Sequence, residues 1–191
     1  MKNNWKWIYN PFEFVAGWKA FGMGIVILSI TTIAGYFGNT VFYALEVKTL
    51  PVITWSMAFS LQALGLAVTV IVMFLAALLF AKHTRFQDIL GTVTLAKYPL
   101  LLMALLSLAF GKALASINID KIINKEFSFS DIISLFVFGI ISIILLAWEI
   151  TLLFNAFRVS TNLNGVKCAL LFTTALVITT IIIYVLLFVI Y

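Results

Sequence analysis

Charge is scarce in this chain. Lys, Arg, Asp and Glu make up 10% of its 191 residues, where a soluble domain carries about 25%. That shortage excludes an ordinary water-soluble fold. Histidine and cysteine are rarer still, with His83 and Cys168 the sole examples of each. One cysteine cannot form an internal disulfide, and one histidine without further ligands cannot hold a metal. GxSxG, HExxH, a phosphate-cradling glycine loop and paired carboxylates are all missing. Hydrolysis inside a membrane needs a nucleophile with a base, or a metal with several ligands. The chain therefore reads as a non-enzyme with no cofactor or metal. The net charge is +5, yet no run of Lys or Arg offers a nucleic-acid surface. The N-terminal MKNNWKWIYNPFEF has no compact apolar stretch before a small-residue cleavage site, so no cleaved signal peptide is expected.

What is present is apolar. Hydrophobic residues make up 64% of the sequence, eighteen of them Phe, and the mean hydropathy is +1.17. Such a chain needs lipid as its solvent. The uncharged runs predict five spans, at about 21–45, 55–81, 95–116, 131–157 and 167–191. Pro51 keeps the second from starting earlier. Lys97 and Lys112 are expected to snorkel from the third towards opposite surfaces. Ser130 is the expected N-cap of the fourth. Short connections make sequential spans antiparallel, giving an all-α integral membrane protein, a compact five-helix bundle in a single domain over residues 1–191. Lys2, Lys6, Lys19, Lys82, Arg85, Lys97, Arg158 and Lys167 fall on one side, and Lys48, Lys112, Lys121 and Lys125 on the other. That bias places the N-terminus in the cytosol and the C-terminus outside.

Two segments have the look of interfacial elements. Residues 1–19 carry Trp5, Ile8, Phe12, Val15 and Trp18 at spacings of three and four, among lysines. Trp5, Trp7, Phe12 and Trp18 are the expected anchors of an amphipathic segment in the headgroup layer, and Pro11 splits it into two short turns. Thr84 and Gln87 have capping-box spacing. The segment 84–97 is expected to lie flat before turning into the third span at Tyr98-Pro99.

Glu149 is the residue most in need of explanation. A carboxylate inside a span costs about 2.5–3.5 kcal/mol unless paired or watered. It is either a proton-relay, ion-site or headgroup-binding carboxylate, or one half of a structural ion pair with Lys97. The pair is favoured, because one isolated acid makes a poor transport path. Small residues four apart, Thr31 with Gly35 and Ala34 with Gly38, are expected to let helices approach closely. Ala63 and Ala67 repeat the spacing, serving internal packing or a dimer seam. Cys168 reads as inert.

The order of NPFEF (Asn10 to Phe14), ILGTVTLAKYPLLLMALLSL (Ile89 to Leu108) and LLAWEITLLFNAFRVSTNLNGVKCALL along five spans resembles the Yip family of Ypt/Rab-interacting membrane proteins. The resemblance implies a membrane-embedded adaptor. Eukaryotic relatives act in vesicle traffic and bind prenylated small GTPases. Only the residues up to Lys19 precede the first span here, and a DLYGP-like signature is absent. The likeness is therefore to minimal members of the bacterial cytoplasmic membrane and does not carry GTPase binding. The leading expectation is a scaffold or accessory subunit acting on other membrane proteins, on a second copy of itself, or on bilayer organisation. The alternative is a small-molecule, ion or lipid transporter using Glu149.

Overall fold

The computed structural model describes residues 5–81, 84–115, 117 and 128–190, without the side chains of Lys112, Ser130 and Ile190. His83 and the proposed snorkelling of Lys112 lie outside that description. Among the described residues, five helices are long and apolar enough to cross a membrane. In chain order the elements are α1 (Lys6–Tyr9), a 3-10 turn (Pro11–Glu13), α2 (Gly17–Phe37), β1 (Thr40–Tyr43) and β2 (Glu46–Thr49). There follow α3 (Trp55–Phe80), α4 (Phe86–Ala96), α5 (Pro99–Ala115), α6 (Phe129–Thr161) and α7 (Gly165–Ile190). The end of the bundle at which α2 starts is called the N-side, and the opposite end the C-side.

α4 and α5 form one span. Pro99 has no N–H to give the helix, so Tyr98, Leu100 and Leu101 bond three residues back, to Leu95, Lys97 and Tyr98. The result is a break at Lys97-Tyr98. The flat segment expected at 84–97 is not found: Ile89 and Gly91 to Ala96 are buried, and α4 packs against α2 and α6. Its capping box does not form either. Arg85 is the N-cap, without a side-chain bond, and the buried Thr84 hydroxyl has no partner among the described residues.

The reason α4 joins the bundle is a seam of small residues. Spans one and three run parallel, with Gly91 against the Gly17 carbonyl, Gly24 against Thr94 and Leu95, and Gly38 against Ser107. Gly17, Gly24, Thr31 and Gly38 recur every seven residues, which keeps them on one face. Within α4, Thr92 and Thr94 donate to the carbonyls of Asp88 and Leu90 one turn back, and the Thr92 hydroxyl also meets that of Ser160 on α6 at 2.8 Å.

The first span is shorter than expected. α2 ends at Phe37, capped by Gly38, and residues 40–45, expected in the same helix, belong to a hairpin. β1 and β2 are antiparallel, with Thr40 opposite Thr49 and Tyr43 opposite Glu46. Gly38 sits beside Ser107 near the C-side, while the Ala44 carbonyl at the tip meets Lys97. The hairpin thus turns back into the bundle. Non-helical backbone at that depth is tolerated where protein covers it, and Val41, Phe42, Tyr43 and Ala44 are all buried. Cross-strand partners share a face. Phe42 packs beside Ala34, Leu100 and Met103, with Val47 against that cluster, while Tyr43 and Glu46 face Ile183 and Tyr184 of α7.

α6 runs from Phe129, two residues earlier than expected. Ser128, not Ser130, caps it, in a reciprocal capping box with Asp131. α6 packs on α4 and α5, and α7 on α3, but the last two helices share few contacts. The hairpin occupies the gap between them.

Candidate functional site

Three elements meet where charge enters the bundle. The break after α4 delivers Lys97, the middle of α6 delivers Glu149, and the hairpin delivers its tip. Lys97 Nζ donates to Glu149 Oε1 at 3.0 Å and to the Ala44 carbonyl at 2.6 Å. Both charged side chains are only 1% exposed.

Local sequence explains each position. Glu149, Leu152, Leu153 and Ala156 share the buried face of α6, at the spacing of one helical stripe. Lys97 lies eleven residues from Phe86 and Glu149 twelve from Thr161, so both stand about 17 Å in from the N-side helix ends. Lys97 therefore does not snorkel to a surface, as its place near the start of a shorter third span had suggested. Ala44 has φ +47°, a left-handed conformation that costs an alanine about 1–2 kcal/mol. Gly65 of α3 makes room for it, since a Cβ there would lie 2.3 Å from the Ala44 nitrogen.

The pair is sealed. The cavity beside Glu149, between the hairpin, Leu100, Met103, Ser142 and Leu145, has a volume of about 10 Å³, room for one water at most. Ser142, one face with Glu149, bonds the Phe138 carbonyl and touches the Met103 sulfur. Gln62, also buried, has an Oε1 without a partner among the described residues. Among the described residues no group of three His, Cys, Asp or Glu could hold a metal.

Beside the pair, Tyr98 and Trp148 fasten the N-terminus. The Ile8 carbonyl accepts from the Tyr98 hydroxyl at 2.5 Å and from Trp148 Nε1 at 2.8 Å. Asn155 Nδ2 donates to the Tyr9 carbonyl at 2.8 Å. Lys6 pairs with Glu13 at 3.0 Å, and this hydrogen bond and charge raise the Lys6 ammonium above its ordinary pKa. Of the expected anchors, Phe12 is buried while Trp5, Trp7 and Trp18 point outwards, Trp7 stacked on Phe14. Pro11 does divide the segment into two short turns.

The packing residues separate. Thr31, Ala34 and Gly35 are buried in α2, with Gly35 against Phe42 and Thr40, whereas Gly38 caps the helix and meets Ser107. Ala63 and Ala67 are exposed and serve no internal packing. Cys168 is buried. The hairpin and its carbonyl were missed from the sequence. The polar cluster Gly38-Asn39-Thr40 inside an uncharged run was its one signal, a turn in place of a helix interior. Comparison of the chain with protein-family models, with curated proteins and with solved structures gives no significant match.

Proposed function

We propose that the chain is a non-catalytic integral membrane protein, a scaffold or accessory subunit that acts through its helices on other membrane proteins. The observation that carries this reading is the use to which Lys97 and Glu149 are put. They bind each other and the hairpin tip, and the cavity beside Glu149 has room for one water at most. Buried ion pairs of this kind best serve to fix register. The outward surface, in contrast, is apolar: Leu79, Phe136, Ile143 and Phe188 are 61–88% exposed together with their neighbours Phe80 and Ile144. A surface of that kind is suited to lipid and to other membrane helices. The order of motifs and spans supports kinship with the minimal Yip-type proteins, and the excess of basic residues at the N-side supports a cytosolic N-terminus in a bacterial cytoplasmic membrane.

The test is flux. Purified protein in sealed proteoliposomes should pass no protons or small ions above protein-free vesicles, with or without Glu149→Gln. In native membranes it should co-purify in fixed stoichiometry with another membrane protein or with itself. A flux abolished by Glu149→Gln would overturn the scaffold and establish a transporter.

A further inference from the structure

We propose that the C-side cleft between the hairpin, α3 and α7 binds a single phospholipid of anionic headgroup, its acyl chain inside the cleft and its phosphate on Lys48. The cleft has a volume of about 310 Å³ and is walled by Val41 and Tyr43 of β1, Met57 and Leu61 of α3, and Leu187 of α7. Lys48 of β2 stands on the same wall. It is exposed and has no ion-pair partner among the described residues.

The strand register explains this face. Val41 is opposite Lys48, and Tyr43 opposite Glu46, so all four side chains share one side of the hairpin. Glu46, nearer the tip, lies in a separate crevice with Tyr43 and Tyr184 and is not paired with Lys48. Two residues along the strand, about 6–7 Å, a free ammonium is left at the edge of an apolar recess. A cation over an apolar slot is complementary to an amphiphile with an anionic head. The volume matches the low end of small-ligand sites. Free phosphate would leave the apolar walls uncovered. The site is separate from the ion pair and does not rest on the scaffold reading.

The experiment uses the full-length protein in nanodiscs of phosphatidylcholine doped with a phosphatidylglycerol carrying a photoreactive diazirine in its acyl chain. A matched phosphatidylcholine probe is run in parallel, and cross-links are mapped by peptide mass spectrometry. The phosphatidylglycerol probe should label Met57, Leu61 or Leu187 about fivefold more than the matched probe, the factor that roughly 1 kcal/mol per basic residue near an anionic lipid supplies. Lys48→Glu should remove that excess. Leu187→Trp, in the wall of the cleft, should remove labelling of Met57 and Leu61 in protein that still unfolds in one cooperative thermal transition. Equal labelling by both probes, or labelling spread evenly to Ile71 and Leu75 on the exposed side of α3, overturns the proposal. Loss of labelling on adding millimolar inorganic phosphate would overturn the choice of a lipid.

Discussion

In the third span more than half of the residues are buried, whereas in the most apolar stretch of the fourth none is. The former carries Gly91, Thr94 and Gly111 on a seam with α2. The latter, in the first half of α6, turns Ile132, Ile133, Phe136, Ile140 and Ile143 outwards, with Phe138 and Leu145 half-buried against the hairpin and α5. In water the more apolar helix would be the more buried one. In a bilayer, lipid solvates large apolar side chains as well as protein does, and small residues that permit backbone contact decide which helix is central. The two regimes meet inside α6, at Glu149. On its N-side Leu152, Leu153, Ala156 and Phe157 are buried; on its C-side Ile143, Ile144 and Phe136 are exposed.

The largest effect should come from breaking that boundary. Lys97→Met leaves Glu149 buried alone, and Glu149→Leu leaves Lys97 with only the Ala44 carbonyl. Each should cost about 3–5 kcal/mol, read as a shift in SDS-induced unfolding from mixed micelles. The double substitution should recover most of the loss, because well-packed apolar pairs replace buried ion pairs at little cost. Additive losses would mean that the two residues act independently, and the coupling of hairpin, α4 and α6 would fail.

A smaller loss is expected at the seam. A Cβ on Gly111 would fall 1.8 Å from the Gly38 carbonyl, so Gly111→Ala must push α5 off the end of α2. Overpacking of this kind costs about 1–3 kcal/mol. The same unfolding titration measures it, and no change would mean that α2 and α5 are not in backbone contact.

Next comes the fastening of the N-terminus to α6. Trp148→Phe keeps the ring beside Tyr98 but removes the donor to the Ile8 carbonyl. One hydrogen bond is worth about 0.5–1.5 kcal/mol, and Tyr98 still reaches the same carbonyl, so the low end is expected. Amide exchange at Tyr9 and Asn10 should quicken by a few-fold, and further in the double variant with Tyr98→Phe. Unchanged exchange in the double variant would show that the segment is held by Phe12 and its neighbours alone.

Much of this was legible in the sequence. The uncharged runs located five helices because charge is what lipid tolerates least, and they erred by up to nine residues where other physics acted. The hairpin at Thr40–Thr49 was hidden because an uncharged run is what a buried hairpin and a helix have in common. α4 was misjudged because its stripe of Ile89, Leu90 and Val93 resembles an interfacial helix, while Gly91 and the threonines that bring it inside are individually unremarkable. Lys97 and Glu149, proposed as partners from a shared side of the bundle, lie 3.0 Å apart. The carbonyl that completes their contacts belongs to main chain, which no residue type announces. The seven-residue recurrence of Gly17, Gly24, Thr31 and Gly38 was readable, but spacings of four drew attention first.

The smallest effect sharpens the comparison most. Gly139 lies in the exposed half of α6, and a Cβ there would meet nothing within 4 Å. Gly139→Ala is the same chemical change as Gly111→Ala in another span, without the clash. Alanine is favoured over glycine in a helix by up to about 1 kcal/mol, because it restricts the unfolded backbone more. The expected outcome is a stabilisation between nothing and about 1 kcal/mol, opposite in sign to the seam variant. Both are read in the same unfolding titration, so errors of method cancel between them. If Gly139→Ala instead weakened the protein in native-lipid nanodiscs but not in detergent, the face would not be bare in the membrane. A helix of a partner or of a second copy would then lie against Gly139, at the close approach that Gly91 and Gly111 allow within the chain. That result would turn the exposed half of α6 from a lipid surface into an interface, and would show that one rule, small residues where backbones touch, governs both regions.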